Sequence, residues 1–359
     1  MDADFIGFLR ENKPCLTLLL PFGITFFLLP HLGQLASGIG LVDHPGKRKI
    51  HREPRPLIGG LGMSLAVALT GLLFIPLFNM RGFYAGLVLL VIIGFLDDFG
   101  ELDHRYKFFV QIIAAVFIMY FSNVYLYTFG DLLSSGPINF HFSVPIITII
   151  GTVGVCNAIN MIDGLDGLAG GICLAAFASF AFLAFVGNHP TLLLLSLAIC
   201  GSLIAFLKYN WNPSKLFMGD AGSLFLGFAA AFISISLTQH ENSLVKPVAP
   251  LLVLAVPIVD TVTVMIKRLM KGKNPFHADK AHLHHILLKL GFSRRQTASI
   301  IILLSVLFCS VAIAGTLLRI HEYYLFFFFM AYFTAYFTAS FHLKKMIRNR
   351  AKLSSFQHI

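Results

Sequence analysis

The sequence predicts an all-α polytopic membrane protein of about eleven transmembrane helices, with its N-terminus outside and its C-terminus cytoplasmic. Three observations carry that prediction. Apolar residues make up 57% of the 359-residue chain and charged residues only 12%, with mean hydropathy +0.80, which leaves too few charges to cover a soluble protein of this size. Apolar runs of roughly 17–22 residues, long enough to cross a bilayer, recur along the chain. Of the 27 Lys and Arg residues, 22 fall in alternate connecting segments, the asymmetry expected of cytoplasmic loops. A soluble or disordered chain is excluded, and the expected surroundings are a lipid bilayer, with no nucleic-acid partner.

In order, the runs centre near Ile24, Leu69, Leu90, Phe117, Thr152, Phe177, Leu197, Ala231, Val256, Val306 and Phe333. The first, roughly Cys15 to Leu35, is too long for the apolar core of a signal peptide and reads as a retained span. Basic residues crowd segments 47–55, 105–107, 208–215, 267–295 and 344–352, leaving Arg10, Lys13, Arg81, Lys246 and Arg319 on the other side. An even number of spans would spoil that sorting. The chain therefore reads as one integral membrane domain, 1–359, with cytoplasmic active-site loops at 37–56, 97–107, 161–167, 208–221 and 267–296 and a basic cytoplasmic tail at 342–359. The outer segment Ser134 to Pro137 is turn chemistry. Cys15, Cys156, Cys173, Cys200 and Cys309 lack the spacing of a disulfide framework or zinc site and read as small core residues.

The acidic residues sort by place. Asp97, Asp98, Asp163, Asp166 and Asp220 all fall at inner ends of spans, so they belong to one membrane face. Asp97 and Asp98 end a helix, where the macrodipole is already negative, and a cation or a basic neighbour would relieve them. Mg²⁺, which prefers carboxylate oxygens, is the natural candidate. In Asn157, Asn160, Asp163 and Asp166 a polar side chain recurs every third residue, which keeps the four on one side of a tightened helix, with Gly164, Gly167, Gly170 and Gly171 between them. Asp220 precedes a span and by itself reads as a helix N-cap. His282, His284 and His285 open an amphipathic helix whose apolar face is Leu283, Ile286, Leu287 and Leu290, with His282, His285 and Lys289 opposite and Asp279 as a cap. That helix is expected to lie in the inner interface. Asp260, inside a span, is a functional candidate by its depth. The first inner loop adds Lys47, Arg48, Lys49 and His51. Carboxylates, imidazoles and cations at one surface suit a metal and phosphates meeting a lipid. A secondary transporter is the rival reading, but transporter sites lie at the midplane between repeats, and neither is seen.

These motifs resemble the polyprenyl-phosphate N-acetylhexosamine-1-phosphate transferases, the glycosyltransferase 4 type, which also includes the lipid I-forming translocase. Gly40 to Pro45, Asp97-Asp98 with Lys107 and Gln111, Asn157 to Gly167, Phe217 to Ser223, Pro257 to Asp260, and Pro275-Phe276 leading to His282 to His285 occur in that family's order. The resemblance implies transfer of N-acetylglucosamine 1-phosphate from UDP-N-acetylglucosamine to undecaprenyl phosphate, releasing UMP and starting a cell-envelope polysaccharide such as an O-antigen. Another UDP-acetamido sugar is the alternative substrate. It makes Asp97, Asp98, His282, His284 and His285 catalytic, and Asp220 the principal Mg²⁺ ligand, with Asp98 and Asn160 as further candidates and Mn²⁺ as the alternative ion. Asn157, Asn160, Asp163, Asp166, Phe217, Lys49, His51 and Lys107 would bind substrate, Phe217 by stacking on uracil. His-Leu-His-His at 282–285 is similar to the N-acetylglucosamine branch. A bacterial cytoplasmic membrane with the site facing inward is expected, and a homodimer is an open expectation.

Overall fold

A computed structural model describes residues 12–43, 54–100, 102–240, 243–275 and 281–356. In chain order these form α1 (Lys13–Ile39), a two-stranded antiparallel hairpin of β1 (Val42–Asp43) and β2 (Arg55–Pro56), and then α2 (Gly59–Phe74), α3 (Arg81–Gly100), α4 (His104–Ser122) and α5 (Val144–Ile162). They continue as α6 (Leu168–Val186), α7 (Pro190–Asn210), α8 (Gly219–Thr238), α9 (Val248–Val253), α10 (Ala255–Leu269), α11 (Leu283–Lys289), α12 (Arg294–Leu317) and α13 (Glu322–Phe356). Among the described residues nine helices are long and apolar enough to cross a membrane. The chain is an integral membrane protein.

The two remaining sequence runs differ from the expectation of a full-length span. Gly59–Phe74 is a shorter apolar helix of 16 residues. The run around Val256 is broken at Leu254 (φ −100°, ψ 15°) into α9 and α10. Pro257 explains the break, because it has no N–H for the carbonyl of Val253 and its ring crowds that carbonyl. The Cys309 thiol lies 3.9 Å from this oxygen.

Helix ends follow their sequences. Pro14, Pro145 and Pro190 sit in the first turns of α1, α5 and α7, where a missing N–H costs nothing. Asp103 caps α4 by accepting from the Arg105 N–H, and Ser293 and Gln296 form a reciprocal capping box on α12. Cys156, Cys173, Cys200 and Cys309 are buried as expected, whereas Cys15 is exposed on the outward side of α1.

Helix α8 is the axis of the bundle and almost wholly buried, packed by α2, α3 and α5. Small residues allow these approaches. A Cβ on Gly60 would fall on the backbone of Gly222, one on Gly94 on the backbone of Ala221, and one on Gly227 on the backbone of Cys156. Backbone-to-backbone contact at Gly60 and Gly94 draws the ends of α2 and α3 against the first turn of α8. That crossing makes the floor of the site.

Candidate active site

The C-terminal end of α3 meets the N-terminal end of α8, so a negative helix end faces a positive one. The Asp98 carboxylate accepts from the backbone N–H of Asp220 at 2.7 Å and of Ala221 at 3.2 Å. Asp98, from a different helix, thus serves the cap expected of Asp220, and Asp220 occupies the first turn instead. Gly219 is required twice over: its φ is +74°, and a Cβ there would strike the Asp98 carboxylate.

The basic neighbour that the acidic pair called for is Lys107. Its ammonium lies 2.9 Å from Asp97 Oδ2 and 2.7 Å from Asp220 Oδ2, bridging α3 and α8 from α4. Asp97 also accepts from the Leu102 N–H at 2.8 Å. The Asn160 amide donates to Asp220 Oδ1 at 3.0 Å and to Ser223 Oγ at 2.8 Å.

The expectation of one helical face for Asn157, Asn160, Asp163 and Asp166 is corrected by the structure. Helix α5 ends at Ile162, and Asp163 and Asp166 lie in the turn before α6, where Gly167 takes φ +77°. Asn157 sits one turn deeper and donates to Gln111 Oε1 at 2.7 Å, turned into the α4–α5 contact. Asp166 accepts from Arg55 at 3.3 Å, from the Asn212 amide at 3.1 Å and from the Ser214 N–H at 3.2 Å. Among the described residues the Asp163 carboxylate has no hydrogen-bond donor. Burial, followed by the nearby charges of Asp220 and Asp166, pushes its pKa up to about 7.

A cavity of about 390 Å³ opens over these groups. Asp163, Asp166, Phe217, Asp220 and His285 line it, as do Asp43, Arg55 and Arg294, which the sequence had not singled out as site residues. Arg55 stands on β2 between two prolines, a placement that could have flagged it, with its guanidinium 5.5 Å from the centre of the Phe217 ring. Lys49 and His51, with Asp279, lie outside the described residues.

The histidines are placed differently from the expectation. His282 and His284 are 4% and 2% exposed, so His282 is not on a solvated face. The cause is Asp260, a buried carboxylate that needs donors: His282 Nδ1 lies 2.8 Å from its Oδ2. Its Oδ1 accepts from the Leu283 N–H at 2.9 Å, a cap the sequence had given to Asp279. Burial and the neighbouring His285 push His284 down to about 3, keeping it neutral. Its ring packs on Gly164, where a Cβ would meet Nε2. Only His285 of the three lines the cavity. Helix α11 packs on α12 and α13.

The donor set fits Mg²⁺. Hard carboxylate oxygens of Asp163 and Asp220 face one cavity, and Asp163 lacks a hydrogen-bond donor among the described residues. Among the described residues no group of three or more His, Cys, Asp or Glu converges to hold a metal ion, so these two carboxylates would share an ion with water or substrate oxygens.

Comparison with known proteins agrees with the motifs. A protein from Bacillus subtilis (strain 168), named probable undecaprenyl-phosphate N-acetylglucosaminyl 1-phosphate transferase, is 34% identical over 80% of each chain. The undecaprenyl-phosphate alpha-N-acetylglucosaminyl 1-phosphate transferase of Pasteurella multocida (strain Pm70) is 32% identical over 94% of this chain and 98% of its own. Residues 80–238 match the model of glycosyl transferase family 4. The chain belongs to this family. The matched segment runs from α3 through α8 and so contains the Asp97, Asp98, Lys107 and Asp220 assembly. Within the family 4 fold seen here, Arg55, Asp260 and the histidine turn are brought in from outside that segment.

Proposed function

We propose that this family 4 transferase moves N-acetylglucosamine 1-phosphate from UDP-N-acetylglucosamine to undecaprenyl phosphate, releasing UMP. The observation that carries the reading is the cavity at the first turn of α8, in which carboxylates, two arginines and an imidazole face one space at the end of a bundle of membrane helices. The uracil would lie on the Phe217 ring, and Arg55, Arg294 and His285, which line the same cavity, would face the diphosphate. An oxygen of the lipid phosphate attacks the phosphorus bearing the sugar, the bond from that phosphorus to the UMP oxygen breaks, and UMP leaves. Asp163 and Asp220 would hold Mg²⁺, with Mn²⁺ as its alternative, and the ion would supply charge neutralisation at the phosphate oxygens. Lys107 bridges Asp97 and Asp220 and offsets the repulsion between their carboxylates. A second cavity of about 630 Å³, almost entirely apolar and lined by Val155, Leu254, Ile258, Val262, Phe329 and Phe333, suits an isoprenoid chain.

The two shorter runs complete eleven crossings in this reading, with the N-terminus outside and the cavity facing the cytoplasm of a bacterial inner membrane, where UDP-sugars are made. Basic residues at 105–107, 208–215 and 267–295 then share that face with the site. The product is the first lipid-linked sugar of a cell-envelope polysaccharide.

The test is transfer of radiolabel from UDP-N-acetylglucosamine into organic-extractable lipid by purified protein with undecaprenyl phosphate and Mg²⁺. Label in the lipid phase, dependent on both lipid and ion, is expected. Absence of transfer from any UDP-acetamido sugar would overturn the reading.

A further inference from the structure

We propose that Asp260 is a positioning residue for the transfer, holding the histidine turn against the site from inside the membrane domain. The proposal rests on the function above and deepens it. Asp260 lies on α10 and is 1% exposed. A buried carboxylate persists only when its oxygens are hydrogen-bonded, and three donors converge on this one, one from α13 and two from the start of α11. The Tyr336 hydroxyl of α13 donates to Oδ1 at 2.5 Å, the Leu283 N–H donates to the same oxygen at 2.9 Å, and His282 Nδ1 faces Oδ2 at 2.8 Å.

These contacts fix both the start and the rotation of α11. With His282 held at Nδ1, the next two imidazoles have no freedom to exchange places. His284 stacks parallel to His282, with centroids 5.8 Å apart and planes 5° apart, and lies on Gly164 beside Asp163. His285, 4.1 Å from His284 between centroids, is left facing the cavity. His282, Leu283 and Tyr336, which bond Asp260, are not among the residues lining the cavity, so Asp260 acts through the histidines. Tyr336 extends the chain of support to the last helix, where Lys267 of α10 also donates to Ser340.

Asp260→Asn is the informative variant, since its amide oxygen still accepts from Leu283 while its NH₂ opposes an Nδ1–H on His282. Tyr336→Phe removes one hydroxyl from an otherwise unchanged helix. We expect kcat to fall about 30-fold or more in Asp260→Asn and about 5–10-fold in Tyr336→Phe. The KM for UDP-sugar should move less than about 3-fold, because Asp166 and Phe217 are held by other elements. UMP titration should still give full binding stoichiometry. In parallel, diethyl pyrocarbonate labelling read by peptide mass spectrometry should modify His285 alone of the three in the wild type, and His282 and His284 as well in Asp260→Asn. That readout needs no turnover, so an inactive wild type would count against the function and leave this inference to the labelling. Unaltered labelling, or kcat falling only in step with UMP-binding protein, would overturn it.

Discussion

Replacing Asp98 by Asn separates a base from a strut. The carboxylate receives two backbone N–H groups at the start of α8, at 2.7 and 3.2 Å, and one of them belongs to Asp220. An amide keeps one acceptor oxygen and turns an NH₂ towards the other N–H. One charge-assisted hydrogen bond is lost, about 1.5–3 kcal/mol, together with the favourable charge at a helix N-terminus, about 0.3–1 kcal/mol. The folded state should therefore lose about 2–4 kcal/mol, read as earlier thermal unfolding in detergent. Because Asp220 is displaced with its own N–H, kcat should drop about 100-fold, the scale of a misplacement near 1 Å. The decisive variable is pH. The lipid phosphate loses its second proton near pH 6, so a variant lacking only a base would recover between about pH 6 and 8.5. For Asp98→Asn the defect should stay flat, whereas Asp97→Asn, whose partner is Lys107, should regain part of its activity. Recovery of Asp98→Asn with rising pH at wild-type stability would refute the strut.

Asp220→Asn should abolish transfer while the protein still folds and inserts; near-normal turnover with an unchanged Mg²⁺ requirement would remove it from the ion site. His284 is held down to about 3 by burial and by His285, against 6.5 in an open chain, with Asp260 and His282 also facing it. Its stability contribution is complete above about pH 6.5 and is lost as pH falls towards 3, by up to about 1.4 kcal/mol per unit, so His284→Gln should flatten the acid limb of a thermal-unfolding series. Gly60→Ala puts a methyl on the backbone of Gly222, which cannot give way as a side chain would; a loss of about 1–3 kcal/mol or more is expected in thermal unfolding, and wild-type stability would deny the close crossing. For orientation, with Cys15 changed to Ser because it is exposed, a cysteine at Lys273 should resist an impermeant thiol reagent in intact cells and one at Asn139 should react.

Legibility in the sequence followed the range of the interaction. Nine of the eleven apolar runs found a helix long enough to cross a membrane among the described residues, and the proline-bearing starts of α1, α5 and α7 were local facts. The break at Leu254 was equally local, since Pro257 announces it, yet hydropathy averages across a kink. Asp98 was recognised as unfavourably placed, but the N–H groups that relieve it belong to residues more than a hundred positions later. The histidine turn had the period of an amphipathic helix, and amphipathicity cannot reveal that a buried acceptor waits on another helix. Arg55 was hidden among basic residues that serve topology, with its two flanking prolines the one local signal that set it apart.

The Tyr336–Asp260 contact, whose ends are 76 positions apart, also sets an order of manufacture. A chain emerging from the ribosome inserts α10 well before α13 is made, and until then the Asp260 carboxylate lacks one of its three donors. The histidine turn is thus completed last, when the final helix arrives. A chain without its final helix would carry the carboxylate assembly of α3, α4 and α8 beneath a histidine turn held by two donors instead of three.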